Sequence, residues 1–64
     1  MLVLHMRGGE VIPIRGEPEY LLDLKRKIEV MRLEEGTNVI EIVSSGDVRM
    51  GIVTGRVQRM EYLP

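Results

Sequence analysis

Sixty-four residues with nine basic and ten acidic side chains, a net charge of −1, exclude a protein that is basic all over. Any nucleic-acid contact must then come from a local cluster of Lys and Arg. At 44% hydrophobic and 30% charged, the chain has the composition of a folded domain and not of a disordered one.

The length predicts a single domain, residues 1–64. A domain of this size buries only about 60% of the surface its unfolded chain exposes, so it needs a staple, a metal or a second subunit. Cysteine is absent, which removes disulfides and thiolate sites. The lone His5 leaves no pair for a nitrogen-ligated zinc. Oligomerisation or a very well-packed core must make up the difference, with oligomerisation favoured, and no cofactor is expected. The apolar opening Met1-Leu2-Val3-Leu4-His5-Met6 lacks a basic flank and is too short for a signal peptide. No run reaches membrane-spanning length, so the expected location is the cytoplasm, with no membrane partner.

In chain order, the first elements are strands over about 2–7 and 10–15, joined at Gly8-Gly9. A two-residue turn needs positive φ at both central positions, which glycine supplies. That register sets Met6 against Val11, His5 against Ile12 and Val3 against Ile14. One face then carries Leu2, Leu4, Met6, Val11 and Pro13, and the other Val3, His5, Ile12 and Ile14. Neither face is polar, so both are expected to be covered. Pro13 cannot donate a ladder hydrogen bond and places the second strand at an edge or a bulge.

Residues 18–27 read as helix. Pro18 suits the first turn, Glu17 and Glu19 suit its positive end, and Leu21, Leu24, Ile28 and Met31 form one apolar stripe. Asp23 with Lys27 and Glu29 with Arg32 are favourably spaced ion pairs. Over 28–33 the pattern leans towards helix ending at a Gly36 cap. The β-branched Ile28 and Val30 leave a strand as the alternative. Strands at about 38–43 and 47–53 form a second hairpin around Ser44-Ser45-Gly46-Asp47, and Thr54-Gly55 turns into a last strand through Leu63. The expected architecture is α+β, a small β-rich domain with two hairpins flanking one helix (ββαβββ), ending in a meander and oligomerising through its sheet.

Catalytic chemistry has little to stand on. Ser44 or Ser45, His5 and Asp47 make a triad only on paper, because Ser and Asp at a hairpin tip are explained by turn hydrogen bonds. The glycines sit between strands and are not followed by the Lys-Ser/Thr of a phosphate loop. An enzyme is not expected. Two basic groups remain: Lys25-Arg26-Lys27, and Arg49, Arg56 and Arg59 in the C-terminal third. Charge runs commonly just solvate a helix face. As a site, these residues would form a patch for RNA or an acidic partner, multiplied by repetition around an oligomer.

Leu33-Glu34-Glu35-Gly36-Thr37-Asn38-Val39-Ile40-Glu41-Ile42, followed by Asp47-Val48-Arg49, resembles an early strand–turn–strand of the trp RNA-binding attenuation protein family. Val53-Thr54-Gly55-Arg56-Val57 is similar to a later strand of that family, after a much shortened middle. The resemblance implies an all-β ring of identical subunits with RNA on its rim, a strand over 28–33, and Asp47 and Arg49 in the region of the ligand-side loop. The expected function is a non-enzymatic, self-associating regulatory binding module with RNA or another protein as its ligand. The alternative is a protein–protein adaptor or inhibitor acting through an open strand edge. The expected contact residues are Lys25, Arg26, Lys27, Asp47, Arg49, Arg56 and Arg59.

Overall fold

A computed structural model of the chain describes residues 1–33, 38–44 and 47–64, with the backbone alone at Ser44. The elements are β1 (Leu2–Met6), β2 (Val11–Ile14), α1 (Pro18–Arg32), β3 (Val39–Ser44), β4 (Val48–Val53), a 3-10 turn over Thr54–Arg56, and β5 (Val57–Tyr62). The architecture is α+β. One antiparallel sheet has the order β2-β1-β5 and a second contains β3 and β4.

The first hairpin departs from the expected register by one residue. Gly9 N–H donates to Met6 O at 3.0 Å, and Met6 N–H donates to Glu10 O at 2.8 Å. The connection is therefore Arg7-Gly8-Gly9, three residues long, with Gly9 at φ 91°. This is the geometry in which a turn is followed by one left-handed residue, and it replaces the expected two-residue Gly8-Gly9 turn. Leu4 now faces Ile12 and Leu2 faces Ile14. A slip of one residue moves every side chain of a strand to the other face. Ile12 and Ile14 thereby join Leu2 and Leu4 over the core, while Val11 and Pro13 turn outward with His5. Covering two isoleucines removes more apolar surface from water than covering a valine and a proline. Pro13 does lie in an edge strand.

α1 runs unbroken through Ile28 and Val30 to Arg32, so a strand over 28–33 is excluded. Leu21, Leu24 and Ile28 are buried on the expected stripe. They meet Leu2, Leu4 and Ile14 of one sheet, Ile42 and Ile52 of the other, and Val57, in one cluster. That burial overrides the weak helix preference of the β-branched residues. The helix end is tied down: Leu33 N–H donates to Val30 O at 3.2 Å, and Asn38 Nδ2 donates to Met31 O at 3.4 Å. The proposed cap at Gly36 and the turn residues Ser45 and Gly46 lie outside the described residues.

The expected meander is also corrected. β5 pairs with β1, not with β4. The 3-10 turn redirects the chain, anchored by the buried Thr54, whose N–H and Oγ1 both donate to Asn38 O at 2.9 and 3.2 Å. β5 then completes a three-stranded sheet around β1, more robust than a lone hairpin. The β1–β5 register shifts between His5, opposite Arg59, and Met6, opposite Val57, leaving Gln58 as the extra residue. This bulge turns Val57 into the core although it alternates in phase with the outward Arg59 and Glu61. It also frees the Gln58 carbonyl, which accepts a hydrogen bond from Arg32 Nη2 at 2.9 Å.

Candidate functional site

The residues expected to make contacts occupy different elements, from α1 to β4, the 3-10 turn and β5. On α1, Lys25 Nζ lies 2.8 Å from Glu29 Oε1, Arg26 Nη2 lies 2.8 Å from Asp23 Oδ1, and Lys27 Nζ lies 3.0 Å from Asp23 Oδ2. All three cations of the cluster already have an acid. Hydrogen bonds from Lys27 and then Arg26 hold the Asp23 carboxyl below its ordinary range. Arg49 on β4 lies 3.3 Å from Glu41 on β3. Asp47 is a turn residue at φ 60°, a conformation that Asp tolerates better than most side chains. Arg56 in the 3-10 turn and Arg59 on β5 have no ion pair among the described residues. His5 Nε2 is buried without a hydrogen bond, 3.5 Å from Glu61 Oε1.

Two surfaces stand out from this distribution. The first is the outer face of the β3–β4 ribbon. Its pairs are Val39 with Val53, Glu41 with Gly51, and Val43 with Arg49. Val39 is 60% exposed and Val43 40% exposed, on either side of the Glu41–Arg49 pair. Among the described residues no third strand joins this sheet. On the β3 side, Val43 N–H donates to Tyr20 Oη at 3.3 Å, which blunts that edge.

The second is a cleft of about 430 Å³ lined by Arg7, Glu29, Arg32, Leu33 and Gly55, where the end of α1 meets the first hairpin turn and the 3-10 turn. Arg7 N–H donates to Arg56 O at 2.8 Å, which brings that turn alongside. Sequence reading missed Arg7 and Arg32, because they stand alone in the chain at the ends of two elements. Arg32 in the last helical turn was visible, but only as half of a helical ion pair.

No group of acids and histidines able to hold a metal occurs among the described residues. Among the same residues, no helix is long and apolar enough to cross a membrane. No protein-family model matches this sequence, and no curated protein or solved structure matches it.

Proposed function

We propose that this chain is a non-enzymatic binding module that self-associates through its β3–β4 ribbon and takes RNA as its ligand. The observation that carries the reading is the ribbon itself, a two-stranded sheet with an apolar outer face and no third strand among the described residues. A lone ribbon is marginal, and exposed valines on it favour a partner surface of the same kind. A second copy fits because Glu41 and Arg49 share that face. Across a two-fold axis, Glu41 of one copy meets Arg49 of the other while the valines pack between them. RNA as ligand is supported by Arg56 and Arg59, which have no ion pair among the described residues.

The test has two arms. Val39→Lys with Val43→Lys should convert the assembly to a monomer in light scattering while leaving the helix signal intact. An unchanged mass would end the ribbon reading. Charge reversal at Arg56 and Arg59 should abolish binding of a labelled single-stranded oligonucleotide, and unchanged affinity would end the RNA reading. The two-stranded sheet, joined by no third strand among the described residues, favours the second reading, an adaptor that adds a strand from a host protein. Strand addition is weakly salt-dependent, whereas RNA affinity falls steeply with salt.

A further inference from the structure

The cleft at the C-terminal end of α1 differs from the other charged surfaces in what its arginines are doing. In the shallower depression lined by Glu19, Leu22, Asp23 and Arg26, Asp23 and Arg26 neutralise each other. In the cleft, Glu29, the one acid among the described lining residues, is held by Lys25 at 2.8 Å. Arg7 and Arg32 have no ion pair among the described residues. Two acids, Glu34 and Glu35, follow Leu33 in the sequence and lie outside the described residues.

We infer that the cleft is a phosphate-binding site for a single nucleotide unit of RNA, with Arg7 and Arg32 as the two cationic contacts. A planar guanidinium offers five donors in a fixed fork, which suits the oxygens of a phosphodiester. Arg32 is positioned in advance, since one Nη2 donor is already anchored on the Gln58 carbonyl that the β5 bulge exposes. Anchoring lowers the conformational entropy lost when the ligand arrives. The helix end itself would repel an anion. Its carbonyls are partly occupied, however, by Leu33 N–H on Val30 and Asn38 Nδ2 on Met31. Leu33, 88% exposed at the rim, offers an apolar surface for a ribose or base. Gly55 forms part of the wall, and a Cβ built there meets nothing within 4 Å, so the wall stands back from the space a ligand would fill. The volume of about 430 Å³ lies in the range of small-ligand clefts.

This assignment rests on the RNA part of the proposed function and is independent of self-association. Gly55→Asp tests it without removing any packed side chain, because it adds a carboxylate to an open wall. Arg7→Glu tests it from the opposite side, and Arg15→Glu, at an exposed position outside the cleft, is the control. The full chain would be titrated with inorganic phosphate and separately with a five-nucleotide oligouridylate, read by amide and Arg Nε chemical shifts. Both probes should shift Arg7, Arg32, Leu33 and Gly55, with the oligonucleotide binding the more tightly. Arg7→Glu should weaken the oligonucleotide about tenfold through the loss of one charge-assisted contact, and Gly55→Asp should weaken it through added repulsion, while Arg15→Glu stays at the wild-type value. Oligonucleotide binding centred elsewhere, or unmoved by both cleft variants, overturns the cleft and leaves the RNA reading standing. Phosphate binding as tight as the oligonucleotide overturns the RNA ligand in favour of a small anion. No binding of either probe overturns both.

Discussion

Gly9 is the residue on which the first hairpin turns. Its φ of 91° is costly for any side chain, and the three-residue loop has no other residue in that region among those described. Gly9→Ala should therefore lower unfolding stability by about 1–2 kcal/mol in urea titration. No change would contradict the assigned loop. Asp23 is the second informative position. Its carboxyl is held low by Lys27 and Arg26, so its contribution to stability is complete above the ordinary carboxylate range and disappears as pH falls through the lowered value. In an NMR titration Lys27→Met should move the Asp23 midpoint up towards the ordinary carboxylate value. An unmoved midpoint would show that the pair seen at 3.0 Å does not persist in solution.

At the scale of elements, the helix was legible and the strand pairings were only partly so. The stripe Leu21, Leu24, Ile28 announces a buried helical face, and packing carried it past the β-branched residues to Arg32. The hairpin register was not legible, because Arg7-Gly8-Gly9-Glu10 supports a two-residue or a three-residue turn with equally apolar strands. The difference is set by which β2 residues fit the core, a tertiary quantity. The partner of β5 was hidden for a similar reason: sequence neighbours commonly pair, and only the 3-10 turn at the buried Thr54 sends the strand elsewhere. One signal was available, since Val57 is out of phase with Met60 and Tyr62, as a bulge requires. Deleting Gln58 removes the bulge while keeping Val57 opposite Met6. The deletion variant should keep its circular dichroism and cooperative unfolding, losing about 1–3 kcal/mol with the Arg32 anchor. Loss of the folded state would contradict the bulge.

For the whole molecule, two devices are carried by different elements of the structure. The β3–β4 ribbon presents valines around a Glu41–Arg49 pair, and the opposite role, holding charge, falls to the arginines around the cleft and β5. Of the expected basic residues, Arg56 and Arg59 are left without intrachain acids among the described residues, while Lys25, Arg26 and Lys27 are neutralised along one helix. Spacing alone could have shown the latter, because Asp23 and Glu29 stand at helical offsets from all three. The arginines of the cleft were out of reach, since their approach depends on β1 and β5 pairing side by side. The role proposed for the β3–β4 ribbon stands on self-association. Native mass spectrometry across a dilution series measures it most directly: a symmetric oligomer that resists dilution, and dissociates when Val39 and Val43 become lysine, is the predicted result. A monomer at every concentration would contradict it.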